Sequence, residues 1–301
     1  MSMVLEIDAR EAGCAERAKE SVAQNGVVII RNAFDGADIE GLLQNMEDFR
    51  AKVKNFIETG EDPEIPDYYL FNKNTTSCAL LALDPGSREI YRTRGEPGGG
   101  GLNRYELMET SHLFSAMKKS RAAAIISTVT GEDALFRGAR VRVVHHEGGK
   151  PNDSKGAVAL HQEKWPIRKQ QVPIGHNIWM LLNSDGSIAN DTLPGLQFVL
   201  GKNDFWRKDL PENDQEYENK YRKTISTLNR ACRLAADSKE EMIEIEDHVI
   251  YRPKLKLGDV ALFDHHILHG TFVPGEASGV RLSCEFRIFP PDPNYPGLGL
   301  K

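Results

Sequence analysis

Leu257-Gly258-Asp259-Val260-Ala261-Leu262-Phe263-Asp264-His265-His266-Ile267-Leu268-His269-Gly270-Thr271 is the stretch on which the reading of this chain turns. Leu257-Gly258-Asp259 is a turn signal, and the apolar run after it is too short for a helix, so a buried strand is predicted over Val260–His265. His265, His266 and His269 bring three of the chain's nine histidines into this one segment. His265 and His269 have the i, i+4 spacing of a helix face. The Gly-Asp turn and the β-rich run before them argue against a helix here.

Working outward, similar short runs recur at Ala157–Gln162, Ile178–Asn183, Leu196–Leu200, Val249–Arg252 and Arg281–Ile288. Val141, Val143 and His145 alternate with Arg140, Arg142 and Val144, the period of a strand. Ser184-Asp185-Gly186-Ser187, Pro194-Gly195 and Pro274-Gly275 separate the runs as turns. Many short strands with Gly/Pro turns predict a sandwich or barrel.

Towards the N-terminus the pattern is helical. A helix over 15–24 stopped by Asn25-Gly26 precedes an apolar strand, Val27–Arg31. Asp35 is placed to cap a helix carrying Ile39, Leu42, Leu43, Met46 and Phe49, and a further helix is expected over about 112–130, capped by Thr110 or Ser111 and closed by Gly131. Residues 59–110 are rich in Pro and Gly and read as loop, while 203–247 are charged and mostly helix-patterned, a helical insertion at the rim of the β core. The expected organisation is a single domain over 1–301. Residues 1–135 form its helical and strand support with a lid loop, and 136–301 form a jelly-roll core interrupted by the insertion. The fold class is α+β.

The chain has 301 residues, with 38 Lys+Arg against 44 Asp+Glu and a formal charge of −6. That balance argues against a nucleic-acid or anionic-membrane partner, which calls for a phosphate-neutralising basic face. No run approaches the ~20 apolar residues that span a bilayer. Cys14, Cys78, Cys232 and Cys284 are scattered with no C-x-x-C pair. Dispersed cysteines and the absence of a signal-peptide core lead to the expectation of a cytoplasmic protein.

His161-Gln162-Glu163 closes the run Ala157–Leu160. Residues two apart on a strand face the same side, so the imidazole of His161 and the carboxylate of Glu163 would converge on one point. With a histidine from a distant strand they would make a 2-His-1-carboxylate triad, the donor set of non-haem Fe(II) with open positions left for other ligands. His269, beside a permissive glycine, is the best third ligand, and His265 is the alternative of the same parity. Arg281-Leu282-Ser283 presents a guanidinium fork and a hydroxyl on one face, a grip for a carboxylate. Two other metal chemistries are not supported. A zinc deaminase needs a P-C-x-x-C downstream of its H-x-E, and a zinc hydrolase of the H-E-x-x-H kind needs that motif; both are absent.

Taken together, H-x-E, a distant His-Gly and a later Arg-x-Ser resemble the Fe(II)/2-oxoglutarate-dependent dioxygenases, most of all their phytanoyl-CoA dioxygenase-like (PhyH-like) branch. Asn25–Phe34 resembles the opening strand of that family. His161-Gln162-Glu163-Lys164-Trp165-Pro166 resembles its first metal strand, Leu193–Val199 its proline-glycine turn and following strand, and Gly258–Thr271 its second metal strand. The resemblance implies a double-stranded β-helix (jelly-roll, cupin-like) core. His161, Glu163 and His269 would be iron ligands, and Fe(II), 2-oxoglutarate and O2 the reactants beside a small-molecule substrate. Arg281 would hold the distal carboxylate of 2-oxoglutarate, with Thr271 or Ser283 adding a hydroxyl, Trp179 lying beside the cosubstrate and Gln162 touching cosubstrate or substrate. Tyr105, Arg104, Lys164 and Trp165 are candidate substrate-wall residues.

Two departures from the family pattern stand out. Glu163 replaces the usual Asp, and the spacing from His269 to Arg281 is about one residue longer than in the family, which leaves Arg287 as a weaker candidate on the same strand face. Related halogenases carry a small residue at the place of Glu163, so the carboxylate favours hydroxylation or another oxidation over halogenation. The implied reaction oxidises a C–H bond and releases succinate and CO2. Without a peroxisomal tail at Gly299-Leu300-Lys301, specialised biosynthesis is expected rather than lipid catabolism. The alternative is a metal-containing jelly-roll binding protein without catalysis.

Overall fold

The computed structural model describes residues 4–44, 105–106, 116–131, 135–146, 158–162, 175–200, 215–245, 247–277, 279–289 and 298–299. The chain opens with β1 (Glu6–Asp8), α1 (Cys14–Asn25), β2 (Val27–Arg31) and a helix α2 over 36–44. β3 (Tyr105–Glu106), α3 (Ala122–Thr130), β4 (Leu135–His146), β5 (His176–Leu181) and β6 (Gly195–Val199) follow. The last part comprises α4 (Gln215–Leu234), β7 (Met242–Ile245), β8 (His248–Tyr251), β9 (Val260–Asp264), β10 (Leu268–Phe272), β11 (Gly279–Phe289) and β12 (Leu298–Gly299).

The strands form two sheets. The larger has eight strands in the order β1-β2-β9-β5-β11-β4-β12, with β3 on β4; the smaller runs β10-β6-β8-β7. Only β1 and β2 pair in parallel within these ladders. Period-two alternation sorts the side chains of the large sheet into two apolar layers. Val28, Ile30, Ile178, Met180, Val260, Leu262, Cys284, Phe286 and Ile288 pack on one face with Ala18 and Val22 of α1 and Ile125 and Ile126 of α3. Val27, Ile29, Trp179, Leu181, Ala261 and Phe263 turn to the other face and meet Leu196, Phe198 and Tyr251 of the small sheet. Val199, Ile250 and Leu268 lie on the far side of the small sheet with Leu228 and Cys232 of α4. Three layers of burial thus hold helices, sheet, sheet and helix together, and the space between the two sheets is where Trp179, Phe263 and Phe198 face one another.

Local chemistry accounts for the elements. Ala18, Ser21, Val22 and Asn25 form the buried stripe of α1, which ends at Gly26 with φ +83° and its N–H on the Val22 carbonyl at 2.9 Å. The expected helix over 112–130 is interrupted among its described residues. Ser120 Oγ donates to the Met117 carbonyl at 2.7 Å, a side-chain bond that competes with the helix ladder, and α3 restarts at Ala122. The insertion is also not helical throughout. After α4 the alternation Met242-Ile243-Glu244-Ile245 forms β7, with Ile243 buried against α4 and the strand paired to β8. Arg252, 2% exposed, fastens α4 to the sheet: its guanidinium donates to the Ala235 carbonyl at 2.8 Å and the Cys232 carbonyl at 3.2 Å and lies over the Phe272 ring. Residues 59–104 and 203–214, which hold most of the expected lid loop and part of the insertion, lie outside the described residues. Among the described residues no helix is long and apolar enough to cross a membrane.

Candidate metal centre

The run Ala157–Gln162, expected as a strand, forms no ladder over its described part, 158–162. It makes one antiparallel bridge, His161 opposite His269 of β10. Their backbones exchange both hydrogen bonds, His161 N–H to the His269 carbonyl at 2.8 Å and the reverse at 3.0 Å. Two residues along β10, Thr271 pairs with Val158 rather than Ala159: Thr271 N–H reaches the Val158 carbonyl at 2.7 Å and Val158 N–H reaches Thr271 Oγ1 at 3.0 Å. Three residues of one segment therefore oppose two of the other, the arithmetic of a β-bulge. The N–H of Leu160 turns out of the ladder to Asn229 Oδ1 of α4 at 3.0 Å.

Gly270 makes this approach possible. A Cβ there would stand 2.9 Å from Ala159 C, Leu160 N and the Val158 carbonyl, inside contact distance of the crossing backbone. The glycine after His269 is thus a packing requirement that seats the two histidines opposite each other.

The two imidazoles lie with ring centroids 4.4 Å apart. His269 is 5% exposed and its ring packs against Phe263, 4.7 Å between centroids. Each ring has its Nδ1 on a carbonyl two residues earlier in the chain, His161 on Ala159 at 2.9 Å and His269 on Ile267 at 3.0 Å. A carbonyl oxygen only accepts, so in both rings Nδ1 carries a proton, and Nε2 is the nitrogen through which the ring would serve as a ligand. That is the tautomer and the backbone support typical of metal-ligating histidine. Imidazole nitrogens are donors that suit a divalent transition metal. Glu163, the expected carboxylate ligand, lies outside the described residues, as do Lys164, Trp165 and Arg104; among the described residues no three His, Cys, Asp or Glu side chains converge.

His265, the alternative ligand, has both ring nitrogens in hydrogen bonds. Gly175 N–H donates to its Nδ1 at 3.3 Å, and its Nε2 faces Asn177 Oδ1 at 3.0 Å. It is 1% exposed and closes the turn after β9, which ends at Asp264, one residue before the expected boundary. His266 N–H and Nδ1 both bond Asp264 Oδ1, at 2.7 and 2.8 Å. Burial alone pushes the Asp264 carboxyl up, but the hydrogen bonds from His266 outweigh it and hold the group below its ordinary value. Burial lowers His176, whose strand position is opposite Asp264, and the charge of Asp264 only partly offsets this.

Arg281 is fully buried on the face of β11 that looks between the sheets, with Ser283 beside it. Its Nη1 donates to the Gly195 carbonyl at 3.2 Å, and its guanidinium carbon stands 5.5 Å from the centre of the Trp179 ring. Arg287, the second candidate, shares that face and lies 3.7 Å from the carboxylate of Glu285. Thr271 uses its hydroxyl oxygen to accept from Val158, and Gln162, 6% exposed, donates its amide to the His266 carbonyl. Of Tyr105 only the backbone is placed, in register with Arg142 of β4.

The supports of the pair were not read from the sequence. The carbonyls of Ala159 and Ile267 carry no side-chain signature. The Asp264-x-His266 spacing, a short acceptor two residues before a backbone donor, was the one local signal that pointed to the turn.

No family model matches the sequence and no curated protein matches it. Among solved structures, the chain is similar to the epimerase SnoN in complex with Fe3+, alpha ketoglutarate and nogalamycin RO. That match has 12% identity over 93% of this chain and 85% of that one, with a TM-score of 0.49. The non-heme alpha ketoglutarate dependent carbocyclase SnoK from nogalamycin biosynthesis is similar at 11% identity over 92% and 86%, with a TM-score of 0.47. AviO1 from Streptomyces viridochromogenes Tue57 is similar at 16% identity over 94% and 97%, with a TM-score of 0.45.

Proposed function

We propose that this chain is a non-haem Fe(II)- and 2-oxoglutarate-dependent oxygenase built on a double-stranded β-helix core. Its reaction oxidises a C–H bond of a small organic metabolite in specialised biosynthesis, with release of succinate and CO2. The observation that carries the reading is the histidine pair, two rings from separate segments seated opposite each other with both Nδ1 protons on backbone carbonyls.

In this reading His161 and His269 would hold the metal through Nε2, and Glu163 would supply a carboxylate ligand. When bound, iron supplies the activation of dioxygen that is coupled to decarboxylation of the cosubstrate. Arg281 offers its fork to the far carboxylate of 2-oxoglutarate, held in place by the Gly195 carbonyl and the Trp179 ring. Ser283 shares that face, and the Thr271 hydroxyl is placed two residues from His269. Phe263 and Phe198 pack against the ring of His269, an apolar wall that limits water on that side. Gln162 holds the segment of His161 to the turn at His266 through its side-chain amide.

Succinate formation from 2-oxoglutarate, dependent on added Fe(II) and abolished by His161→Ala, tests the reading. Iron binding at this pair without succinate formation, in the presence or absence of candidate metabolites, would favour a metal-containing binding protein.

A further inference from the structure

The turn between β9 and β10 touches both histidine-bearing segments through two consecutive carbonyls. The carbonyl of His266 accepts from the side-chain amide of Gln162, the residue next to His161. The carbonyl of Ile267 accepts from Nδ1 of His269 at 3.0 Å. One carboxylate shapes that turn. Asp264 Oδ1 takes the backbone N–H of His266 at 2.7 Å and its ring Nδ1 at 2.8 Å, while the Asp264 carbonyl takes Ile267 N–H at 3.2 Å. Asp264 is itself anchored, its N–H on the Gly26 carbonyl at 2.9 Å.

We propose that Asp264 is a positioning residue for the metal pair. Through His266 it holds two adjacent peptide carbonyls at the angles that fix the ring of His269 and the strand of His161. This rests on the metal-centre reading above and adds to it a residue that binds neither metal nor cosubstrate. The physical argument is that an imidazole ligand is selected by the group on its other nitrogen, and a carbonyl in a short turn is aimed only as well as the turn is held. A carboxylate receiving two donors from one residue, in a site where its side chain is 19% exposed, locks the turn more firmly than backbone bonds alone. The same turn accounts for the burial of Gln162: its amide ties the segment of His161 to the turn that supports His269.

The test uses the full chain and two readouts. Calorimetric titration with Co(II) is expected to show Asp264→Ala binding about 10- to 100-fold more weakly than the native chain, the range for loss of a group that supports a ligand. Asp264→Asn keeps an acceptor for the His266 donors and is expected to recover most of that loss. In the metal-free chain, imidazole nitrogen chemical shifts should show His269 as the Nδ1–H tautomer, and Asp264→Ala should turn this into a mixture of tautomers. Should Asp264→Ala not fold, His266→Phe removes the ring bond and leaves the backbone one, and both readouts should move in the same direction. Native Co(II) affinity with an unchanged His269 tautomer in Asp264→Ala, or in His266→Phe in its place, overturns the proposal. If the native chain and His161→Ala take up Co(II) equally, the metal-centre reading fails instead, and the tautomer in the metal-free chain still decides the role of Asp264.

Discussion

Two polar clusters among the described residues are built in different ways. Beside the N-terminal strands, Arg31 bonds Glu6 at 2.7 Å, Asp259 at 2.7 Å and the Lys254 carbonyl at 2.6 Å. Tyr251 adds its hydroxyl to Glu6 at 2.8 Å, and Asp259 also accepts from the N–H groups of Asn32 and Lys256, both at 3.2 Å. Burial opposes the charge on Glu6, yet Arg31 holds its carboxyl below the ordinary value. Donors meet acceptors within the chain, and the result is a clasp joining β1, β2, β8 and the turn before β9. At the histidine pair a backbone carbonyl two residues earlier takes Nδ1 of each ring and sets its orientation. Closing a network makes a support, whereas orienting a network makes a site.

The largest expected effect separates the two clusters. His161→Ala and His269→Ala should each weaken Co(II) or Fe(II) binding by more than about 100-fold, since loss of a ligand exceeds loss of its support. The melting temperature without metal should stay near that of the native chain in His161→Ala, whose ring is partly exposed, and should fall in His269→Ala, whose ring is packed on Phe263. Asp259→Ala should do the reverse. Removing a fully buried carboxylate from Arg31 should lower unfolding free energy in urea by about 3 kcal/mol, the low end for a broken buried pair because Glu6 still faces the arginine. Metal affinity of the folded fraction should stay the same. If Asp259→Ala loses metal at native stability, the contrast is wrong.

A smaller effect joins the two. Gly270→Ala pushes a methyl into the backbone of 158–160 and should cost about 1–3 kcal/mol of stability, as overpacking does. It should also weaken metal binding by displacing His161, and an unchanged affinity would show that the close approach does not seat the pair. The smallest effect is in the acid limb. Asp264 has a lowered native pKa, so its stabilisation is complete above the ordinary carboxylate value and is lost as pH falls through the native one. His176 is lowered from its ordinary 6.5, so below that pH the unfolded chain binds the extra proton and stability again falls with falling pH. Both slopes have the same sign, each at most about 1.4 kcal/mol per pH unit. Urea titrations at successive pH should show His176→Phe flattening the arm that begins near neutrality, and a slope that persists there would assign it to another group.

Much of this was legible because it depends on short-range pattern. The apolar runs at Val27–Arg31, Ile178–Asn183 and Val260–His265 became β2, β5 and β9 within one or two residues, since β-branched runs between turn signals have few other conformations open to them. The run before His161 misled. Its composition is that of a strand, but Thr271 captures the N–H of Val158 and Asn229 that of Leu160, so tertiary partners take the bonds a ladder would use. β7 was hidden in a charged stretch because two isoleucines alternating with glutamates are too few to stand out from an amphipathic helix. Helix continuity through Ser120 failed for a local reason that only a hydroxyl's actual partner reveals.

At the site the division follows the same line. Residue types and their spacing are legible along the chain: H-x-E, His-Gly and Arg-x-Ser, with parity placing Arg281 and Ser283 on one face. The fold is what places His269 of that segment opposite His161, through the backbone bridge between them, and sets His265 in the turn between Gly175 and Asn177. Spacing along a chain is a one-dimensional property and can be read directly. The protonation and aim of a ring depend on partners that come from elsewhere in the fold.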